Sequence, residues 1–278
     1  MPYATAADGV RLYYETQGSG PPVVCVHELA GSCRSFDPQQ AAWQARFQCI
    51  AFNARGYPPS DVPAAVPSYG QDIAAADIGA VLDALALDDA HVMGVSMGAA
   101  ATLHFALRNP ARVRSIVLCS IGSGSDLKPG EYAANMEAMA RFVAATDMRR
   151  LAEHYAEQPT RRRLKEKNPA EYRKFVDGLA SLSAHGIANT MRGVQSRRPP
   201  LYVHKDRVAA MATPALVVLG AEDEPCVRPS HFLAETLPGA RLEVIAGTGH
   251  LVNLEAPDIV NRLVADFIDA VERRRAAR

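Results

Sequence analysis

No stretch of this sequence stays apolar for long. The longest candidates, such as Ile116 to Cys119 and Leu216 to Leu219, are strand-length, far below the ~18 residues that a membrane span needs. Charge of one sign is also missing. Lys+Arg and Asp+Glu both number 30, so the formal net charge is zero, without the basic surplus of a nucleic-acid binder. The opening Met1-Pro2-Tyr3-Ala4 has neither a basic start nor an apolar region, so no signal peptide is expected. There is no CxxC. The five cysteines (Cys25, Cys33, Cys49, Cys119, Cys226) are an odd set, and Cys25, Cys49 and Cys119 sit in or beside apolar runs. The expectation is reduced thiols in a cytoplasmic protein, with no zinc site. Internal repeats and low-complexity segments are absent too.

What is present is alternation. The apolar share of 48% suits a packed core. Val10 to Thr16, Val23 to Val26, Phe47 to Phe52, residues 90–95 and Val113 to Cys119 read as strands. The short continuous apolar runs among them are expected of strands buried on both faces. Tyr69 to Leu85 carries Ile73, Ile78, Val81, Leu82 and Leu85 at helical spacing. The pattern changes near Ser120. Helix-like stretches follow: Tyr132 to Ala145, Met148 to Gln158, Ala170 to Ala184 and Ile187 to Gln195. Ala215 to Leu219 restores a strand, Pro229 to Leu237 reads as a helix and Arg241 to Ile245 as a strand. Asp258 to Arg275 is a closing amphipathic helix. A monomer needs such a helix anyway, so it sets no oligomeric state.

Strands alternating with helices imply a mostly parallel sheet covered on both faces. The reading is a core of residues 1–120 and 213–278, with 121–212 as an inserted helical cap. Ligands bind outside the carboxyl ends of such strands, and an insertion leaving from one would lie over the site. The runs Arg161-Arg162-Arg163 and Arg273-Arg274-Arg275 are read as solvated helix faces.

The chemistry starts at Gly94-Val95-Ser96-Met97-Gly98, directly after an apolar strand and before a helix-like segment. A strand–turn–helix of this kind lifts a serine hydroxyl clear of the backbone, and the glycines relieve crowding. A nucleophilic serine needs a base, and the base an orienting acid, in the order Ser, acid, His. His250 lies in a glycine-rich loop immediately after the last strand. Asp223 follows the penultimate strand, beside Glu222 and Glu224; Glu222 is the fallback. His104 is expected to face away from the turn, while His154 and His185 fall in the insertion.

With these residues in place the chain resembles the α/β-hydrolase family across nearly its whole length. The carriers are the elbow, Gly220 to Asp223, Gly249-His250, and Arg55-Gly56-Tyr57-Pro58-Pro59-Ser60, which looks like that family's R-G-x-G-x-S loop. The resemblance implies an eight-stranded, mostly parallel sheet with a cap inserted after the sixth strand. It implies Ser96 as nucleophile, Asp223 as acid and His250 as base, and an oxyanion hole from the N–H groups of Leu29 and Met97. His27-Glu28-Leu29 departs from the family's usual His-Gly, because Glu28 stands where a glycine is common. A carboxylate there should oppose developing negative charge unless it is neutralised, and the expected partner is Arg55. In the loop, Pro58-Pro59 adds a residue.

The implied reaction is acyl transfer from a small-molecule substrate to water, with no metal or organic cofactor and no membrane or nucleic-acid partner. Ser96 in place of an aspartate argues against the dehalogenase and epoxide-hydrolase branches. Three readings stay open: ester or lactone hydrolysis, hydrolysis of a C–C bond in a dioxo acid, and perhydrolase-type activity. Some relatives of such folds are receptors that bind without turnover, but these often lose a triad member. Arg192, Arg197 and Arg198 are candidates to hold a substrate carboxylate.

Overall fold

The computed structural model describes residues 2–128 and 130–277. Met1, on which part of the leader reading rests, lies outside them. Eight strands form one sheet among the described residues: β1 (Tyr3–Thr5), β2 (Arg11–Gln17), β3 (Pro22–Val26), β4 (Gln48–Phe52), β5 (Ala90–Val95), β6 (Val113–Cys119), β7 (Ala215–Gly220) and β8 (Arg241–Ile245). Their spatial order is β1-β2-β4-β3-β5-β6-β7-β8. Only β2 runs against its neighbours β1 and β4; β3 to β8 are parallel. The eight-stranded, mostly parallel architecture implied by the resemblance is the one found. β1 was not foreseen, because three residues are too short to display a period of two.

The continuous apolar runs have the expected cause. Every residue of β3, β5 and β7 is buried, and alternate side chains feed opposite layers. Val24 and Val26 join one cluster with Ile78, Leu82 and Phe105. Val23 and Cys25 join another with Trp43, Val260 and Ile268. The first layer is supplied by α2 (Gln71–Ala84) and α3 (Met97–Arg108). The second comes from α1 (Asp37–Trp43) and, at the end of the chain, Pro257–Ala276. Each fully buried Val, Leu or Ile here contributes about 1.5–3 kcal/mol of transfer free energy.

Between β6 and β7 the chain forms α4 (Glu131–Ala145), α5 (Met148–Ala156), α6 (Arg162–Lys167), α7 (Pro169–Ala180), α8 (Ala184–Thr190) and α9 (Lys205–Ala209). Met191–Gln195 continues α8 as a π-helical turn. The apolar faces of α4, α5, α7 and α8 close a third cluster with Leu29, Tyr57, Met97 and Leu251, which lie at the carboxyl end of the sheet. After β7 come α10 (Glu224–Thr236), the short α11 (Val252–Glu255) and the closing α12 (Pro257–Ala276). α10 starts five residues before the expected Pro229. Pro225 takes the first turn, where a missing N–H costs nothing, and Pro229 is carried inside the helix.

Candidate active site

Ser96 sits between β5 and α3 with φ 53° and ψ −110°. A non-glycine residue in such a region costs of order 1–3 kcal/mol, and the surroundings hold it there. Its N–H donates to the Cys119 carbonyl at 2.8 Å, and its carbonyl accepts from Ala100 N–H at 3.1 Å. The flanking glycines are required by close approach. A Cβ on Gly94 would strike the backbone of Gly98, and one on Gly98 would strike the Val26 carbonyl.

Ser96 Oγ lies 2.8 Å from His250 Nε2, and His250 Nδ1 lies 2.9 Å from Asp223 Oδ2. A carboxylate accepts only, so Nδ1 carries the proton and Nε2 accepts from the serine hydroxyl. His250 is 4% exposed and Asp223 is fully buried. Burial alone would raise the Asp223 pKa. The charge and hydrogen bond of His250 outweigh it, with Cys226 and Ser120 close by, and hold the carboxyl below its ordinary value. Asp223 Oδ1 has no hydrogen-bond partner.

The loop that carries His250 is tied on both sides. Glu255 accepts from Gly249 N–H at 2.6 Å and from Leu251 N–H at 3.0 Å, bracketing the imidazole. The His250 N–H donates to the Thr160 carbonyl at 2.7 Å, so the α5–α6 turn touches the imidazole's own backbone. Cys226 Sγ donates to the Ser120 carbonyl at 3.3 Å and lies 3.9 Å from His250 Nδ1. Asp223, Cys226 and His250 offer possible metal-ligand atoms within 4.8 Å of one another. The His250–Asp223 bond, however, already engages two of those atoms.

His27 orders the loop after β3. Its Nδ1 donates to the Glu28 carbonyl at 2.7 Å, and its Nε2 accepts from Ala54 N–H at 3.0 Å. Gly31 N–H also donates to the Glu28 carbonyl, at 3.0 Å. In a trans peptide N–H and C=O point opposite ways, so these two bonds fix the direction of Leu29 N–H. Tyr57 adds a third tie, donating its hydroxyl to the Leu29 carbonyl at 2.7 Å. Met97 is the first residue of α3, where a backbone N–H lacks an intrahelical partner. Burial lowers the His27 pKa to about 4, which matches an imidazole that donates at one nitrogen and accepts at the other.

The expected pairing of Glu28 with Arg55 does not occur. Arg55 binds Asp77 through Nε and Nη2 at 2.8 and 2.7 Å, Asp8 through Nη1 at 2.7 Å, and the Ser68 carbonyl at 2.8 Å. It ties its loop to α2 and to the β1–β2 turn. Two carboxylates from other segments compete for it, and sequence position could not reveal them. Glu28 folds back beneath Gly31, 3% exposed; its Oε1 accepts from Ser35 Oγ at 3.0 Å and its Oε2 has no partner. Burial raises its pKa, opposed by its own backbone N–H, Ser35, His250 and Arg161.

Other candidates disperse. Glu222 pairs with Arg163 at the surface. Arg192 pairs with Glu137, while Arg198 donates to the Ser123 carbonyl and Tyr132 hydroxyl. His104 meets His204 edge to face, His154 meets Phe142 in the same way, and His185 lies beside the Ala64 carbonyl. Of residues 161–163 only Arg162 is exposed as a solvated face would be; Arg161 is half-buried against Tyr155, and Arg163 is half-buried in ion pairs with Glu166 and Glu222. Sequence reasoning also missed Tyr57, Glu255 and Thr160. Only the question of where the Gly249 and Leu251 amides find acceptors could have pointed to Glu255.

Residues 21–257 match the α/β-hydrolase fold family, and the chain belongs to that family. It is an α/β-hydrolase enzyme. The 3-oxoadipate enol-lactonase 1 of Acinetobacter baylyi is 24% identical over 277 residues, covering 96% of this chain and 97% of the relative. The 2-(acetamidomethylene)succinate hydrolase of Mesorhizobium japonicum is 28% identical over 274 residues, covering 94% and 92%. Among solved structures, a hydrolase from Pseudomonas aeruginosa superposes with a TM-score of 0.85 at 25% identity, covering 96% of this chain and 97% of that one. Among the described residues no helix is long and apolar enough to cross a membrane.

Proposed function

We propose that this protein is a serine hydrolase that cleaves a small carboxylic ester or lactone through an acyl-Ser96 intermediate. The observation that carries this reading is His250, bonded to Ser96 at 2.8 Å and to Asp223 at 2.9 Å. As Ser96 Oγ attacks the carbonyl carbon, its proton passes to His250 Nε2. The oxyanion is received by the N–H groups of Leu29 and Met97; losing one such donor typically costs about 100- to 1,000-fold in rate. His250 then gives its proton to the departing alkoxide. Water, deprotonated by His250, attacks the acyl carbon and releases the acid and free Ser96. Asp223 holds the imidazole tautomer throughout and stabilises its positive form.

The insertion between β6 and β7, residues 121–212, serves as the cap in this reading, and its apolar faces pack on Leu29 and on Met97, the residue after Ser96. The enzyme names of the relatives, an enol-lactonase and a 2-(acetamidomethylene)succinate hydrolase, are compatible with acyl transfer at this site. A reducing, cytoplasmic compartment belongs to the same reading, because all five cysteines are buried and unpaired.

A fluorophosphonate probe and a panel of p-nitrophenyl esters, lactones and dioxo acids test it. Labelling at Ser96 that disappears in Ser96→Ala, with ester or lactone turnover, is expected. Turnover confined to dioxo acids, or a folded protein that neither labels nor turns over, would overturn it.

A further inference from the structure

Arg161 is a cation that the reaction leaves unused, on the turn that touches His250. It follows Thr160, whose carbonyl accepts from His250 N–H at 2.7 Å, so the chain delivers Arg161 one residue from a direct contact with the base. Its neighbour Arg163 is taken up by Glu166 and Glu222. Arg161 enters no ion pair among the described residues. Its guanidinium carbon lies 4.1 Å from the centre of the Tyr155 ring, and Nη1 donates to Thr160 Oγ1 at 3.3 Å. Stacking on an aromatic face holds a guanidinium in place while leaving its in-plane donors free.

The surroundings define what those donors would meet. Tyr155 packs against the apolar cluster that holds Leu29, Tyr57 and Met97, the residue after Ser96. The Arg161 charge is felt at Glu28, on the oxyanion loop, and at Tyr155. Burial drives Glu28 toward its neutral form; the groups that oppose this are its own amide, Ser35, His250 and Arg161 itself. Arg161 is half-buried, and its contacts are the Tyr155 ring and Thr160 Oγ1, with no ion pair among the described residues. One guanidinium with apolar walls suits a singly charged planar anion, which it can bind through two parallel hydrogen bonds. A dianionic phosphate would bring a second charge with no cation to meet it.

We propose that Arg161 anchors a carboxylate of the substrate, so that the preferred ester or lactone carries a free carboxylate at the end of an apolar acyl or ring portion. This rests on the hydrolase reading above. It makes Arg161 a specificity residue, apart from the groups that perform acyl transfer.

The test uses the full chain with p-nitrophenyl half-esters of succinate, glutarate and adipate, each beside the alkanoate ester of equal chain length. Arg161→Met and Arg161→Lys are compared with the native protein, with thermal unfolding to verify folding. The expected result is a kcat/KM for the best half-ester about 10- to 100-fold above its alkanoate partner, the range of a charge-assisted hydrogen-bonded pair. Arg161→Met should erase that preference, mainly through KM, leave the alkanoates within about twofold, and Arg161→Lys should restore part of it. Equal treatment of both ester classes by the native protein, or an equal loss on both in Arg161→Met, overturns the anchor while Ser96-dependent turnover keeps the hydrolase reading standing. Calorimetric titration with glutarate separates the two further. Arg161-dependent binding in a protein that hydrolyses nothing would sink the hydrolase reading and support the anion site. Turnover of esters with no glutarate binding and no half-ester preference would do the reverse.

Discussion

The backbone N–H of His250 donates to the carbonyl of Thr160 at 2.7 Å, joining the loop that carries this imidazole to the turn between α5 and α6. The contact is backbone to backbone, so side-chain replacement at Thr160 would not remove it. Gly249 shows how close the two segments run: a Cβ there would collide with the Thr160 carbonyl. Gly249→Ala should therefore push the base loop away from the insertion. The expected result is a fall in kcat of about 100-fold, the scale at which small misplacement costs rate, in a protein whose circular dichroism is unchanged. Unaltered kcat would show that the contact does not position His250.

Asp223 and Glu222 are adjacent in sequence and opposite in consequence. Asp223→Asn retains shape but reverses the hydrogen-bond role at His250 Nδ1, and kcat should fall about 10,000-fold. Glu222 is at the surface with Arg163, so Glu222→Gln should stay within about twofold of the native kcat, as surface substitutions do in stability. Steady-state assays on the two variants separate the acid from its neighbour.

His27 links catalysis to acid stability. Its folded pKa lies near 4, below the ordinary 6.5, because burial disfavours the imidazolium. The unfolded chain therefore takes up the proton first. The stability tied to neutral His27 is complete above about pH 6.5 and is lost as pH falls toward 4. His91 and His104, held near 3 and 4 by burial, add to the same slope. His27→Ala should flatten that part of the slope in urea denaturation. It should also free the Glu28–Leu29 peptide and lower kcat by about 100-fold, the lower figure for losing an oxyanion donor.

Glu28 has the opposite sign. Its folded pKa is raised above the ordinary 4.5 by burial, so the folded state resists ionisation. Stability is lost as pH climbs from the unfolded value through the folded one. Glu28→Gln keeps an acceptor for Ser35 and removes the buried charge. It should raise Tm by a few degrees at pH 8, a gain that disappears near pH 4. A lower Tm at pH 8 would show that the ionised carboxylate is stabilised in place.

Arg55→Met tests the separation of Arg55 from the site. Arg55 and Asp77 are both nearly fully buried, and removing one member of such a pair typically costs about 3–5 kcal/mol. Denaturation should show that loss, while turnover per folded molecule at low temperature stays near native. A selective loss of kcat with stability unchanged would return Arg55 to the active site.

Much of the core was legible because its signals are local. Val23 to Val26 and Ala215 to Leu219 are apolar without interruption since both faces of a central parallel strand are covered. The elbow was legible because Gly94 and Gly98 meet a steric demand within five residues. β1 was not, being three residues long, and α10 was misplaced because either Pro225 or Pro229 could open a helix. Charged side chains were the least legible. Arg55, Glu28 and Arg161 each depend on which segments meet them, and a formal charge carries no address.

The sequence by itself determined the alternation of the central strands and helices, the serine turn, and the sites after β7 and β8 from which an acid and a base could reach it. These follow from periodicity, glycine sterics and chain order, all short-range properties. Only the tertiary structure decided that Arg55 answers to Asp77 and Asp8, that Glu28 lies buried with a free oxygen, and that Arg161 stacks on Tyr155. Electrostatic partners are chosen by proximity and burial. Those are properties of segments far apart in the chain, brought together only when the insertion closes over the sheet.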